Sequence, residues 1–219
     1  MIWKICVRCK QSFSRLLESQ MCIECVDKAQ KAAQDRDDIM DLMGGRRPFE
    51  KWRFESFKRN RRNKEALDVM KGFKFRKQNV YLYGPVGCGK SHLTSALVYD
   101  HWERHDIMKE HMWCGKASQL LREFRKLDGP QEDERVRFYA SLPLFVIDDF
   151  ASERITEFGQ SILLEVIDSR LTHKKNGLVI NSNLSLNDLG NKMGDGRLVS
   201  RLYQLCTSIS IEDRDRRMD

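Results

Sequence analysis

The residues of this chain best suited to chemistry form a phosphate-binding loop at positions 84–91. The sequence there reads Gly-Pro-Val-Gly-Cys-Gly-Lys-Ser, which matches the pattern G-x-x-x-x-G-K-[ST]. Glycines let successive backbone N–H groups approach an anion, Lys90 would reach the β- and γ-phosphates, and Ser91 would hold Mg²⁺. A chance match in a glycine-rich turn is disfavoured by the strand-like run before the loop and the helix-like run after it. The predicted nucleotide ligands are Gly84, Pro85, Val86, Gly87, Cys88, Gly89, Lys90 and Ser91.

A second candidate element is an apolar run, residues 144–149, that ends in two carboxylates. A strand buried on both faces has little reason to end in paired acids unless a cation lies there. Asp148 would bind Mg²⁺, directly or through water, and Asp149 would polarise the attacking water as a general base. The alternative is an ordinary exit from a strand into a loop. The position of this run after the phosphate loop favours the magnesium interpretation.

Two further segments supply polar residues for the same site. The run 178–183 ends in asparagines, and Asn183, with Asn181 as second choice, could orient the attacking water; helix capping is the alternative. In residues 197–205 the leucines share one helical face, while Arg197 and Arg201 share another. An arginine there could reach the nucleotide of a neighbouring subunit, or it could be a surface residue.

Four cysteines near the start of the chain have the spacing of a metal site. Cys6 and Cys9 form one C-x-x-C pair, and Cys22 and Cys25 form another after twelve intervening residues. Four thiolates complete a closed tetrahedral shell, so the pattern predicts a structural Zn²⁺ ion rather than a catalytic one. Four unrelated cysteines are the alternative. The predicted organisation is a zinc-binding module at 1–27, a helical connector with a flexible break at 28–47, and a nucleotide-binding domain at 48–219.

These candidates need a scaffold that alternates strands and helices. Strands are predicted at 79–84, 111–115, 144–149, 177–183 and 207–211, with helices at 91–98, 117–127 and 158–173 between them. This alternation predicts an α/β fold with a parallel sheet covered by helices. No apolar run reaches the length of a membrane span, so a cytoplasmic protein is expected.

The charge of the chain is concentrated in one segment. The net charge is +7, and residues 46–64 contain nine basic residues against two acidic ones. Aromatic residues alternate with the basic ones, namely Phe49, Trp52, Phe54 and Phe57. Such a stretch could bind a nucleic-acid backbone, or it could be a solvated surface above core aromatics.

Taken together, the motifs make the chain similar to the DnaC/IstB-like branch of the AAA+ ATPases, which includes bacterial and phage helicase loaders. The similarity extends from about residue 49 onward. It rests on residues 84–91 followed by His92 and Leu93, on 146–150, on 181–184 and on 196–202, while 54–57 resembles the segment that leads into the ATPase core.

The resemblance implies a P-loop AAA+ core without a C-terminal lid, ATP and Mg²⁺ as cofactors, and His92 beside the nucleotide. It also implies that Asn183 is the residue known as sensor I and that Arg201 is the arginine finger acting in trans. Arg216 is the better match to the arginine known as sensor II. Many relatives carry Asp-Glu where this chain has Asp148 and Asp149, so a weak ATPase stimulated by DNA or by a partner is expected.

The function implied by the resemblance is that of a helicase loader in a bacterial cytosol, of cellular or phage origin. Its partners would be a replicative hexameric helicase, single-stranded DNA and further copies of itself across nucleotide interfaces. Two alternatives stay open: an IstB-like transposition helper ATPase, and a zinc-stabilised nucleic-acid binding adaptor in which ATP acts as a switch.

Overall fold

The structure is a computed structural model. It describes residues 3–5, 12–14, 51–75, 77–105, 112–152, 155–172, 176–193 and 196–215. The chain divides into two compact units, Met1–Asp41 and Leu42–Asp219.

In the first unit the described residues form an antiparallel strand pair. Strand β1 (Trp3–Ile5) pairs with β2 (Ser12–Ser14), and the register sets Lys4 opposite Phe13. The zinc-site cysteines Cys6, Cys9, Cys22 and Cys25 lie outside the described residues, as does the connector 28–47. The zinc module and the predicted domain bounds therefore stay predictions.

The second unit is built on a five-stranded sheet in which every neighbouring pair is parallel, with the order β4-β5-β6-β3-β7. This arrangement confirms the predicted α/β fold with a parallel sheet. The strands are β3 (Asn79–Tyr83), β4 (Met112–Lys116), β5 (Leu144–Phe150), β6 (Gly177–Ser182) and β7 (Thr207–Ser210).

Helices connect these strands. They are α1 (Lys64–Lys71), α2 (Lys90–His105), α3 (Ala117–Phe124), α4 (Pro130–Ser141), α5 (Glu157–Thr172), α6 (Leu186–Met193) and α7 (Gly196–Leu205). None of the helices that the structure describes is both long and apolar enough to cross a membrane.

The apolar composition of the central strands follows from their position in the sheet. All of β6 is buried, and so is β5 from Leu144 through Ile147, because helices cover both faces of a parallel sheet. Arg170 of α5 is buried in this core, where its guanidinium donates to the carbonyls of Tyr139 and Gly177 at 2.6 and 2.7 Å. Burial lowers the pKa of Arg170, and these carbonyl contacts hold α5 against α4 and the start of β6.

The sequence did not predict helices α1, α4 and α6. Helix α4 shows why: eight of its twelve residues are polar, charged or proline, and only Val136, Tyr139 and Ala140 are buried. Pro130 starts this helix, since a proline at the first position lacks only an N–H that would be unpaired there anyway.

Residues 51–63, which we call the lead-in segment, form turns rather than a regular element. Phe54 and Phe57 are buried in the core, so these two rings are not available to stack on bases. Asp213, which follows β7, accepts hydrogen bonds from Asn60 and Asn63 at 2.7 and 3.0 Å. For Phe54 and Phe57 the structure thus favours core packing over direct contact with nucleic acid.

Candidate nucleotide-binding site

The phosphate loop connects β3 to α2 at the carboxyl edge of the sheet. Its backbone takes positive φ at Gly87 (75°) and Gly89 (108°), a conformation that favours glycine. Close packing also restricts both positions. A side chain at Gly87 would collide with the Asp215 carboxylate, and a Cβ at Gly89 would lie 2.8 Å from Cε2 of Phe57. The glycines therefore permit both the turn and its contacts.

Lys90 lies on the inner side of this loop and is only 7% exposed. Its ammonium donates to the carbonyls of Gly84 and Pro85, each at 2.8 Å, and its third close neighbour is the Cys88 sulfur at 3.7 Å. Burial lowers the pKa of Lys90 and raises that of the Cys88 thiol. Because a thiol is a weak acceptor, one ammonium proton is available for an anionic oxygen.

Four side chains from three elements meet beneath the loop. Ser91 Oγ donates to Asp148 Oδ1 at 3.0 Å. Asn181 Nδ2 donates to the same oxygen at 2.8 Å and to Thr94 Oγ1 at 2.6 Å. A hydroxyl and a carboxylate are the hard oxygen ligands that Mg²⁺ prefers. In addition, Asn181 Oδ1 is buried and has no hydrogen-bond partner within the described part of the chain. This donor set fits a magnesium ion held by Ser91 and Asp148.

Asp149 points to a different environment because the strand is irregular at this point. In the register of β5 with β6, Ile147 pairs with Ile180 and Phe150 with Ser182. Asp148 and Asp149 thus share one opposing residue, Asn181, which is the geometry of a β-bulge. Asp149 has φ of 58°, in the left-handed region, and its Oδ2 accepts a hydrogen bond from Lys116 Nζ at 2.9 Å. The bulge separates the two neighbouring carboxylates.

Asn183, His92 and Arg216 were also predicted to belong to the site. Asn183 follows β6 directly and is half-buried. The ring of His92 stacks on Trp52, and its Nε2 lies 2.9 Å from the Arg53 carbonyl, so His92 contacts the lead-in segment. Arg216 lies outside the described residues. The roles of these three residues stay predictions.

Arg201 lies on the exposed side of α7. Its Nε is 2.6 Å from Asp168 Oδ1 in an ion pair whose angles do not suit a hydrogen bond, and its Nη1 donates to Gln204 at 3.4 Å. Neither partner belongs to the phosphate loop of the same chain. This placement is compatible with action in trans and does not test it.

Sequence reasoning missed two residues of the site, Thr94 and Lys116. Thr94 lies one helical turn after Lys90, where its hydroxyl donates to the Lys90 carbonyl at 3.1 Å and accepts from Asn181. Lys116 ends β4 and pairs in register with Asp148. Parallel strands end at the same edge of a sheet, so the polar residue that ends β4 was a signal for this position.

The phosphate loop, the acidic end of the adjacent buried strand and the parallel sheet define a P-loop ATP-binding core of the AAA+ type. The chain belongs to the family of IstB-like ATP binding proteins, whose model matches residues 4–218. The resemblance to DnaC/IstB-like ATPases is thereby confirmed.

One curated relative and two solved structures are similar to this chain. An ATP-binding protein in an insertion sequence of Mycobacterium tuberculosis is 31% identical over 115 residues, which is 51% of this chain and 43% of that protein. The chain thus spans less than half the length of this relative. The crystal structure of the DnaC helicase loader matches with a TM-score of 0.62 at 20% identity, covering 76% of this chain and 100% of that one. The crystal structure of DnaI matches with a TM-score of 0.63 at 16% identity, covering 77% and 95%. At these identities the two structures show a shared fold.

Proposed function

We propose that this chain is an ATPase that places a replicative hexameric helicase on single-stranded DNA. The observation that carries the proposal is the contact of Ser91 with Asp148 beneath the phosphate loop, 3.0 Å apart, beside the buried Lys90. Those residues supply what binding of ATP with Mg²⁺ requires. The fold shared with the DnaC helicase loader supports the choice of partner.

Within this proposal each residue of the site has one task. Lys90 and the loop N–H groups bind the phosphates, while Ser91 and Asp148 hold Mg²⁺, which would polarise the γ-phosphate. Asp149 accepts the proton of the attacking water. Asn183 or Asn181 orients that water, and the pairing of Asn181 with Asp148 makes it the nearer of the two to the cation site.

Self-assembly would follow from Arg201. An arginine on an exposed helix that completes the nucleotide site of a neighbour creates a head-to-tail interface, which generates rings or spirals. The ion pair between Arg201 and Asp168 then has to open or turn as a neighbouring subunit docks. ATP binding would thereby favour assembly, and hydrolysis would favour release.

Contact with DNA is proposed on the basis of charge. The lead-in segment exposes Lys51, Lys58, Arg59, Arg61 and Arg62, and the Arg59 guanidinium lies 3.3 Å from the Asp68 carboxylate. Exposed cations of this kind bind phosphate backbones without regard to sequence. The helicase itself would be gripped by the zinc module predicted around Cys6, Cys9, Cys22 and Cys25.

A second candidate is a helper ATPase that delivers a transposase to duplex DNA. Two findings favour it: the family model extends through residues 4–218, and the curated relative is an ATP-binding protein in an insertion sequence. Both candidates use ATP to deliver a partner to DNA. They differ in the partner and in the form of the DNA.

The test is light scattering after size exclusion of the chain mixed with a replicative hexameric helicase, with and without ATP. Parallel samples carry Lys90→Ala or lack residues 1–45, and Lys126→Ala, a change of an exposed lysine outside the site, is the matched control. We expect a complex that is lost with the deletion, whose nucleotide dependence is lost with Lys90→Ala and kept with Lys126→Ala. If no complex forms, and the chain instead retains a transposase on duplex DNA when ATP is present, the second candidate replaces the first.

The rate of ATP hydrolysis distinguishes the adaptor hypothesis from the two ATPase candidates. An adaptor that uses ATP only as a switch would show no hydrolysis above the level of Asp149→Asn, with or without DNA. A DNA-stimulated rate that is lost in Asp149→Asn would exclude it.

A further inference from the structure

The chain that follows β7 runs along the edge of the phosphate loop, and we call residues 211–215 the exit segment. It contacts the loop at two of its glycines. A Cβ at Gly84 would collide with the Ile211 carbonyl oxygen, and a Cβ at Gly87 would collide with the Asp215 carboxylate. A backbone carbonyl and a side-chain carboxylate therefore lie directly against the loop, in the space that its glycines leave.

The exit segment is held in place by two sets of hydrogen bonds. At its start, the Ile211 N–H donates to the carbonyl that ends β3 at 2.8 Å, next to the pairing of β7 with β3. Further on, the buried Asp213 carboxylate accepts hydrogen bonds from Asn60 and Asn63 of the lead-in segment at 2.7 and 3.0 Å. Asp215 comes two residues after this buried anchor, so the packing of the domain sets its approach to the loop.

A carboxylate at this place has the same sign of charge as the phosphates that the loop would bind. The loop N–H groups and Lys90 favour an anion, and a fixed negative charge beside them opposes one. Asp215 is partly exposed, so a bound ligand can reach it. An ionised carboxylate accepts hydrogen bonds and donates none. The part of a ligand that suits Asp215 is therefore a hydrogen-bond donor and not a phosphate.

The order of the strands indicates which part of a nucleotide would lie near Asp215. Ser91 and Asp148 form the cation site on the β5 side of the loop, whereas β7 flanks β3 on the opposite side. In P-loop proteins Mg²⁺ bridges the β- and γ-phosphates. The terminal phosphates would thus lie toward β5, and the nucleoside would lie toward β7 and the exit segment.

We propose that Asp215 binds the ribose of ATP by accepting hydrogen bonds from its 2′- and 3′-hydroxyl groups, and that this contact selects ribonucleotides over deoxyribonucleotides. The inference rests on the proposed function, in that it requires ATP binding, and it adds the sugar specificity of the same site. Two adjacent hydroxyls match the two oxygens of one carboxylate. An acidic side chain binds a ribose hydroxyl in the same way in dinucleotide-binding folds.

The selectivity arises because a deoxyribose supplies one donor fewer. With ribose, the hydroxyls compensate for placing a carboxylate close to phosphates. With 2′-deoxyribose, one carboxylate oxygen loses its donor while the repulsion from the phosphates stays. Since Asp215 is partly exposed, water replaces part of the lost hydrogen bond. We therefore expect discrimination of about tenfold, well below the largest values known for buried polar sites.

The experiment measures the binding of nucleoside diphosphates to the full chain by titration calorimetry in the presence of Mg²⁺. The ligands are ADP, 2′-deoxy-ADP, 3′-deoxy-ADP and GDP, which the ATPase reaction does not consume. The variants are Asp215→Ala, Asp215→Asn and the control Glu212→Gln, which changes an exposed acid of the same segment. Asp215→Asn keeps the shape of the side chain and one acceptor oxygen, so a folding defect in Asp215→Ala does not decide the result.

The expected pattern is graded. The unaltered chain binds ADP about tenfold more tightly than either deoxynucleotide. Asp215→Ala lowers this ratio to about one, because ADP loses its acceptor and the deoxynucleotides lose little. Asp215→Asn gives a ratio of about three, since one acceptor remains. Glu212→Gln keeps the ratio of the unaltered chain.

Four results would overturn the inference. The first is equal affinity of the unaltered chain for ADP and both deoxynucleotides, and the second is full discrimination in Asp215→Ala. The third is an equal gain of affinity for all four ligands in Asp215→Ala, which would make the carboxylate a source of repulsion alone. The fourth is a change in the ratio of ADP to GDP with an unchanged ratio of ADP to 2′-deoxy-ADP, which would assign Asp215 to the base. Failure of the unaltered chain to bind any nucleotide would refute the proposed function as well, whereas loss of discrimination alone would leave that function standing.

Discussion

Asp148 and Asp149 are adjacent in the chain, and the structure places them in opposite kinds of environment. Asp148 is held by Ser91 at 3.0 Å and by Asn181 at 2.8 Å, in a network that reaches Thr94. Asp149 lines a cavity of about 270 Å³, has a left-handed backbone, and accepts a hydrogen bond from Lys116 at 2.9 Å. One carboxylate is fixed by buried groups, and the other is paired where solvent and ligands reach it.

Under the proposed function, this difference separates binding from hydrolysis. The side chains around Asp148 are brought together by folding itself, so the proposed magnesium site needs no partner to assemble it. Around Asp149 the chain has left-handed backbone at two residues and a partly exposed ion pair, and strained backbone is typical of functional sites. The two functions should therefore respond to different substitutions, in the following order of expected effect.

Replacing Asp148 should have the largest effect. Asp148→Ala removes the carboxylate from the proposed magnesium site and leaves buried donors on Asn181 and Ser91 without their acceptor. We expect ATP turnover to fall by about 10³-fold and Mg²⁺-dependent nucleotide binding to be lost. Titration calorimetry with a non-hydrolysable ATP analogue measures this, with the exposed Asp133→Ala on α4 as control. Normal binding in Asp148→Ala would show that the cation lies elsewhere.

Replacing Asp149 should lower turnover and leave binding intact. Asn tolerates the left-handed region better than most residues, so Asp149→Asn preserves the bulge while it removes the base. We expect turnover to fall by about 10²-fold or more, as for loss of a general base. Nucleotide affinity, measured in the same calorimetric titration, should stay close to that of the unaltered chain. A parallel loss of affinity would place Asp149 on the cation instead.

Substitutions of Asn181 and Asn183 test which asparagine supports cation binding and which one supports hydrolysis. Asn181→Ala removes one buried and one partly buried hydrogen bond and should lower the free energy of unfolding by about 1–3 kcal/mol. It should also weaken Mg²⁺-dependent binding. Asn183→Ala lies in the half-buried position after β6 and should lower turnover with little loss of stability. Urea unfolding combined with an ATPase assay measures both, and the reverse pattern would exchange their roles.

Tyr81 tests how firmly the Asp148 side is assembled. Its hydroxyl donates to the Leu184 carbonyl at 2.9 Å, next to Asn183, and burial raises its pKa to about 12. In the unfolded chain the phenol ionises near its ordinary value of about 10. The stability due to this shift is thus fully present below about pH 10 and is lost as pH rises through about 12.

The expected loss from Tyr81 is about 1 kcal/mol between pH 9 and pH 11. Tyr81→Phe has no phenol to ionise, so its stability should fall less steeply over the same interval. Urea midpoints of both proteins at the two pH values give the comparison, in which other groups that titrate contribute equally. Parallel slopes would mean that this phenol does not control the alkaline response.

Ala151 tests the strain on the Asp149 side. Its φ of 58° is costly for any residue with a Cβ, and glycine accepts it without that cost. After the larger backbone entropy of glycine in the unfolded chain is included, Ala151→Gly should stabilise the protein by about 0.5–1 kcal/mol. Thermal unfolding measures it, with Ala140→Gly inside α4 as a control that should destabilise. A loss of stability in Ala151→Gly would argue against strain at the bulge.

Much of the scaffold could be predicted from the chain alone. The apolar runs ending at Tyr83, Phe150 and Ser182 gave three strands to within one residue of their observed ends, because strands buried on both faces need continuous apolar sequence. Helices α1, α4 and α6 were missed. Helix α4 has no clear apolar face, and α1 and α6 are each only eight residues long, so helices of this kind depend on packing against the rest of the domain.

The candidate site was also predicted only in part. Lys90, Ser91 and Asp148 belong to motifs whose spacing encodes their convergence. The pairing of Asn181 with Asp148, where Asn183 was the first choice, depends on the register of β6 beside β5. In the lead-in segment, alternating charge and aromatic residues did not distinguish a nucleic-acid surface from core packing. The structure places Phe54 and Phe57 in the core, and contact of the exposed cations with DNA stays a proposal.

The sequence by itself determined the phosphate loop, the buried strands and the two acids, because each depends on residues that are neighbours in the chain. Only the tertiary structure decided that Asp148 and Asp149 would have different partners. The bulge that separates them arises from the pairing of β5 with β6, about 30 residues further along the chain. The lysine that engages Asp149 comes from β4, about 30 residues earlier. Contacts between segments so distant in sequence are fixed by strand order and register, and no local pattern records them.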